Sequence, residues 1–361
     1  MNKLIMTLAL AGLSSMAFAD LNDPNTDWMP GKVGAFLHWW PTEKNLGDWQ
    51  TFDVQKLKAQ LVAAEVDFFI FTLGQNSNYY NSPNDTYEEL AGYKKGERCS
   101  QRDIPAEIIA ALKGTGIRFG LYSPAQPSFN DNQAEDRFGF KRRVQWNADR
   151  LATDEGVKNW SKVLRVWAER YGKDVAIWWF DGVYEKIGYK ENHGRMMREA
   201  LKAGNPNMVM TFNNGSADWG LYPSWEERGD KDPTFAEKHP FRTWRYRKDD
   251  TKTEQRIGLS ASDYIAGETE EPMGYMPQNG RWIEGFQYFI LTYLGNNWSF
   301  PECRYPDDLW IPWLREYRAK GGCIAFDLGH DPKHPGKGVV VDRHINQLRR
   351  LIRATRPAAA K

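Results

Sequence analysis

The chain has 361 residues, 41% of them apolar and 26% charged, with a formal net charge of +1. That balance argues against nucleic acid or an anionic membrane as the main partner, because both select a concentrated basic face. Cys99, Cys303 and Cys323 permit one bridge at most, so core packing rather than a disulfide framework must hold the fold.

The first nineteen residues read as a cleaved secretory signal. Lys3 gives a positive start, residues 4–13 are largely apolar, and Ala17-Phe18-Ala19 offers a small-x-small cleavage site before Asp20. The apolar stretch is too short to span a bilayer. The mature protein, residues 20–361, is therefore expected in the periplasm or outside the cell.

From there short apolar runs alternate with helical patterns, the signature of a parallel α/β sheet. Val33-Gly34-Ala35-Phe36-Leu37 is the first strand. Asp53 caps a helix with Val54, Leu57 and Leu61 on one face. Phe68-Phe69-Ile70-Phe71-Thr72 is the second strand, and Ile104, Ile108 and Leu112 mark a helix ending near Gly114. Residues 117–122 form the third strand. Trp160, Val163, Leu164 and Trp167 line a helix leading to Val175-Ala176-Ile177-Trp178-Trp179-Phe180, the fourth. Val209-Met210-Thr211-Phe212 is the fifth and Tyr264-Ile265-Ala266 the sixth. The seventh falls within residues 290–300, and Cys323-Ile324-Ala325-Phe326 is the last, before a helix carrying Ile345, Leu348 and Ile352. Eight such units close as a single (β/α)8, TIM-like barrel. A doubly wound open sheet competes, but no glycine-rich phosphate loop follows the first strand. A polar stretch at about residues 215–260, with Trp225, Glu226, Arg242, Arg245 and Arg247, is read as a long loop over the barrel mouth.

Chemistry in such barrels gathers at the carboxyl ends of the strands. There the sequence places His38 and Trp39, Gln75 and Asn76, Tyr122, Asp181, Asn213 with Asn214, and Glu268. Trp39-Trp40, Trp49 and Trp178-Trp179 cluster at predicted strand ends, where core packing needs them less, and those beside Asp181 offer flat faces to a sugar ring. Asp181 alone serves equally as a turn residue, and His38 as a satisfied core histidine. The set of two acids among aromatics and amides is the equipment of glycosidic cleavage. No cofactor is implied, and a metal site at His330-Asp331 and His334 competes with a simple turn.

Several motifs resemble those of α-L-fucosidases of glycoside hydrolase family 29. They are Gly34-Ala35-Phe36-Leu37-His38-Trp39, Arg118-Phe119-Gly120-Leu121-Tyr122-Ser123, Ile177-Trp178-Trp179-Phe180-Asp181-Gly182, Asp263-Tyr264 with Glu268, and Trp282-Ile283-Glu284 running on to Asn297-Trp298. The resemblance implies a retaining exo-glycosidase acting on a terminal α-L-fucoside or related sugar. Asp181 would be the nucleophile and Glu268 the acid/base, with Glu270, Glu271 and Glu284 as alternatives. His38, Trp49, Tyr122 and Trp179 would contact the sugar. Two departures stand out. Leu73-Gly74-Gln75-Asn76 replaces the family's adjacent histidines, which opens the choice of sugar, including a substituted fucose. The chain also stops after the last barrel helix, with no C-terminal β-sandwich. A barrel that binds carbohydrate without cleaving it is the competing reading.

Overall fold

Strands buried on both faces read as continuous apolar runs, and every residue of β1 (Val33–Leu37) and β2 (Phe68–Thr72) is buried. The computed structural model describes residues 24–128, 131–141, 151–183, 187–213, 261–270, 272–283 and 285–356. The signal segment, Asn214, the mouth loop with its arginines, Glu271 and Glu284 lie outside them. Between β1 and β2 come α1 (Asp48–Thr51) and α2 (Val54–Ala64), the latter capped as expected by Asp53, whose carboxylate accepts the Lys56 N–H. Next are α3 (Asp85–Ala91), α4 (Ile104–Leu112), β3 (Arg118–Pro124), α5 (Asn132–Phe138), α6 (Asp154–Tyr171), β4 (Val175–Asp181), α7 (Glu191–Lys202) and β5 (Val209–Phe212). Beyond residue 260 follow β6 (Trp282–Ile283), β7 (Phe286–Gln287), β8 (Phe289–Tyr293), α8 (Asp307–Ala319), β9 (Cys323–Asp327) and α9 (Asp342–Thr355).

Seven parallel strands curl in the order β5-β4-β3-β2-β1-β9-β8, while β6 and β7 make a separate antiparallel pair. The eighth stave is the predicted sixth strand, in an irregular form. Segment 263–269 takes the Met210 carbonyl at one edge through the Asp263 N–H, 2.8 Å. At the other edge it bridges to the β7–β8 chain at Tyr264–Gln287 and Glu268–Leu291. The sheet is thereby closed into a TIM-like barrel.

Gly267 is what lets this stave lie so close. Its φ is +59°, and a Cβ there would sit 1.9 Å from the Phe289 carbonyl oxygen. Asp263 anchors the same stave, accepting both guanidinium nitrogens of Arg198 at 2.7 and 2.6 Å, with the Asp263 side chain 3% exposed.

Much of the aromatic content packs outside the barrel rather than at its mouth. Tyr80, Tyr87, Phe138, Trp160 and Trp167 interlock in tilted and edge-to-face pairs, with ring centroids 4.6 to 6.4 Å apart. The amphipathic α6 supplies both of those indoles from its buried face.

Candidate active site

Side chains alternate along a strand, so in β4 the residues 177, 179 and 181 share the inner face. Parallel pairing sets Trp179 beside Tyr122 and Asp181 beside Pro124, which carries Asp181 to the carboxyl rim. There it accepts three side-chain hydrogen bonds. The Tyr122 hydroxyl donates to Oδ2 at 2.7 Å and Gln75 Nε2 to the same oxygen at 3.2 Å, while Asn213 Nδ2 donates to Oδ1 at 3.0 Å. Gln75 also donates to the Tyr122 hydroxyl and lies 3.4 Å from His38 Nε2.

Asn213 is held by the chain on both sides of the acid it serves. Its N–H donates to the Phe180 carbonyl at 2.7 Å, and its own carbonyl accepts from Val183 N–H at 2.9 Å. The same amide nitrogen donates to Glu268 Oε2 at 2.5 Å. With bonds of 3.0 and 2.5 Å meeting at one nitrogen, the two carboxylate oxygens lie no more than 5.5 Å apart, the two lengths end to end. Glu270 is exposed, and its carbonyl rather than its carboxylate is engaged, by Arg304.

His38 forms the next wall. Burial, with a smaller contribution from His330, pushes its pKa down to about 3, so the ring is neutral near pH 7. It packs against Trp40 at 4.4 Å, Tyr122 at 5.4 Å and Trp298 at 6.3 Å between centroids. Its N–H donates to Asp327 Oδ1 at 3.3 Å, and Ser299 N–H donates to the other carboxylate oxygen at 2.5 Å. Asp327, at the end of β9, is thus the clamp between the His38 turn and the loop bearing Trp298. Its own burial raises it to about 8.

Of the residues expected at the rim, His38, Gln75, Tyr122, Asp181, Asn213 and Glu268 are brought together. Asn76 is exposed beside them, its carbonyl accepting from Ser128 Oγ at 2.9 Å. Trp179 is 1% exposed and lies beneath, stacked on Tyr122 at 5.2 Å and 13°, with Nε1 donating to the Ala266 carbonyl; it is part of the floor.

Two expected residues sit elsewhere. Trp39 points outward onto Phe52 and Phe71, and Trp49 is buried in α1, donating to Asn81 Oδ1 at 2.9 Å. Trp178 likewise packs outward on Phe180. Trp298 and Asp327 were not singled out as rim residues, and Trp40 was named only together with Trp39, although counting by twos from His38 turns Trp39 out and Trp40 in. In the segment considered for a metal, the Asp331 carboxylate accepts the Lys333 N–H and pairs with the His334 ring, as a turn does; no metal-binding group of three ligands occurs among the described residues. A hollow of about 430 Å³ between Trp28, Arg118 and Lys173 lies at the opposite end of the strands, away from these acids.

No family model matches the sequence, and none of the curated proteins does. Solved structures do match. The endo-fucoidan hydrolase P5AFcnA of glycoside hydrolase family 107 superposes with TM-score 0.63 at 13% identity, over 93% of this chain and 95% of that one. MfFcnA4, from the same family, gives 0.61 at 14% identity over 93% of this chain, which spans 54% of its length. The α-L-fucosidase AlfC, bound to Fuca(1,6)GlcNAc, gives 0.55 at 13% identity, over 92% and 97%. At these identities the likeness shows the fold. This chain has the barrel on which those fucose-acting glycoside hydrolases are built. Membership of family 29 in particular rests on the motifs alone.

Chemically, the arrangement offers an oriented carboxylate, a second carboxylate within one amide's reach, and neutral donors and acceptors around them. Such a set handles a neutral polyol better than an anion, which both carboxylates would repel.

Proposed function

We propose that the protein is a retaining glycoside hydrolase acting on an α-L-fucoside or a closely related, including substituted, sugar. The observation that carries this reading is the Asn213 amide shared by Asp181 and Glu268. Retaining enzymes hold their two carboxyl groups about 5–5.5 Å apart, inverting ones about 6.5–9.5 Å to admit a water between them. The short link supports the former. The motifs and the kinship of fold with fucose-acting enzymes support the sugar.

Asp181 attacks the anomeric carbon and forms a glycosyl ester, while Glu268 gives its proton to the departing glycosidic oxygen. Glu268 then takes a proton from water; the water oxygen bonds the anomeric carbon, and the ester breaks to return the Asp181 carboxylate. Tyr122, Gln75 and Asn213 fix Asp181 for the attack, and neutral His38 with Gln75 and Asn76 meets sugar hydroxyls. Trp40 and Trp298 supply the apolar faces expected of Trp39 and Trp49. The resemblance implies a terminal sugar and the N-terminal signal segment an exported enzyme; both are part of the proposal.

The test is hydrolysis of aryl glycosides, α-L-fucoside first, with Asp181→Asn as control and the product anomer read by NMR. Release with retained configuration, lost in the variant, is expected. Wild-type and variant proteins that bind sugar equally and cleave nothing would establish the binding-module reading instead.

A further inference from the structure

At the amino ends of the strands, opposite the acids, lies the hollow of about 430 Å³ between Trp28, Arg118 and Lys173. Its volume falls within the range of about 300–1,000 Å³ typical of sites for small molecules. Nothing in the two-acid arrangement draws on it. We propose that it is a second, non-catalytic site, which holds an acidic sugar by its carboxylate or sulfate group. Such a site goes beyond the glycosidase reading and needs no bond to be cut.

Charge decides what the hollow can take. Arg118 opens β3 and Lys173 stands just before β4, so two cations enter the lining from neighbouring strands. The nearby carboxylates are engaged elsewhere. Asp27, the one acid of the lining, pairs at 2.6 Å with Arg281, which lies outside it. Asp174, next to Lys173 in the chain, reaches Lys113 at 4.0 Å. Asp67, whose carbonyl accepts the Arg118 N–H, turns its carboxylate to Lys32 at 3.2 Å. Two positive charges are thereby left without a carboxylate partner among the described residues, and they favour an anion. The mouth, with its two carboxylates, has the opposite preference.

The walls are also ordered before a ligand arrives. The Arg118 guanidinium lies over the Trp28 indole, 4.9 Å from its centre, and Trp28 meets buried Phe68 edge-on at 5.8 Å. A guanidinium held on an aromatic face keeps its rim of N–H donors for an oxyanion. On the side of β5, Asn205 is 7% exposed; it donates to the Val175 carbonyl at 2.9 Å and accepts the Asn207 N–H at 3.0 Å. That turn is pressed against α6, where a Cβ on Gly204 would stand 1.9 Å from the Ala168 carbonyl oxygen. Walls fixed in advance lose little entropy on binding. Asn25 and Asn207 share the lining with the cations, and their amides suit the hydroxyls that an acidic sugar carries beside its charge.

Calorimetry on the intact protein compares one sugar in three forms, galactose, galacturonate and galactose 6-sulfate, with sodium sulfate alone as a fourth ligand. At least one acidic form should bind about tenfold or more tighter than galactose, the worth of one charge-assisted hydrogen bond. The advantage should shrink as salt is raised. Arg118→Gln and, independently, Lys173→Gln should each remove most of it, while Asp181→Asn leaves it unchanged. Lys173 is exposed, so its variant keeps the test standing if loss of the Arg118–Trp28 contact disturbs folding. Equal affinities for neutral and acidic sugars, an advantage that survives both variants, or one that vanishes in Asp181→Asn would overturn the proposal. So would sulfate alone binding as tightly as the sulfated sugar, which would leave an inorganic anion site only. No readout here is hydrolysis: an inactive wild type would sink the glycosidase reading and leave this site to be judged by binding.

Discussion

Asp181 and Glu268 share a single hydrogen-bond donor, the Nδ2 of Asn213. The two acids come from staves on either side of β5, and one amide at the end of β5 sets the distance between them. Replacing Asn213 with Ala should lower kcat by about 100-fold, as loss of one preorganised donor does in other sites, with a smaller change in KM. Asn213→Asp should do more harm, because a third carboxylate repels both partners and moves the acid limb of the kcat pH profile upward. Steady-state kinetics against pH separate the two effects.

Trp39 and Trp40 are adjacent yet face opposite ways, one onto Phe52 and the other onto His38. Trp39→Ala should cost about 3–5 kcal/mol of stability through the cavity it leaves. Trp40→Ala should leave the melting temperature close to wild type and raise KM. Thermal unfolding and kinetics on both variants check the pair; equal losses of stability would contradict the assignment.

Arg198→Met should be among the most damaging single changes far from the mouth. It strips the Asp263 carboxylate, 3% exposed, of both guanidinium bonds while the Met210 N–H still donates to it, and removing one partner of a buried ion pair typically costs about 3–5 kcal/mol. Because Asp263 anchors the stave that carries Glu268, activity should fall at temperatures where the protein is still folded. Denaturant midpoints and rates measured together test both parts.

Stability should peak near pH 6.5. Burial lowers His38 to about 3, and lowers His330 and His344 also, from an ordinary 6.5. Below 6.5 the unfolded chain takes up protons that these folded rings refuse, so stability falls with pH, by about 1 kcal/mol per unit for one such group. Asp327, raised to about 8 by burial, acts in the opposite sense: the unfolded acid ionises from 3.8 upward while the folded one keeps its proton, so its contribution declines as pH rises to 8. The three histidines act together on the acid side, and among the described residues Asp327 contributes the decline above 6.5. His38→Gln should flatten the acid limb and Asp327→Asn the other, in unfolding curves recorded from pH 4 to 8.

The barrel was legible because both-face burial leaves unbroken apolar runs. Val33–Leu37, Phe68–Thr72 and Val209–Phe212 form as read, and the late strand gains one residue, Asp327. That extra residue was left out of the rim, although Asp181, which ends the fourth run in the same way, was placed there. The indoles were misjudged too. A Trp at a strand end is consistent with either face, and only the alternation counted from His38 separates Trp39 from Trp40. Asn213 and Glu268 were placed on one rim, but the hydrogen bond between them was not legible, because 55 residues separate them in the chain and no local pattern records that distance.

Segment 263–269 completes the barrel with scattered bridges where its neighbours have continuous ladders. Its amides should therefore exchange with deuterium sooner than those of β1 or β2, as the least protected part of the sheet. Glu268, the proposed proton donor, rides on that segment, so warming should silence the enzyme reversibly before it melts: the stave carrying Glu268 works loose while the other seven hold.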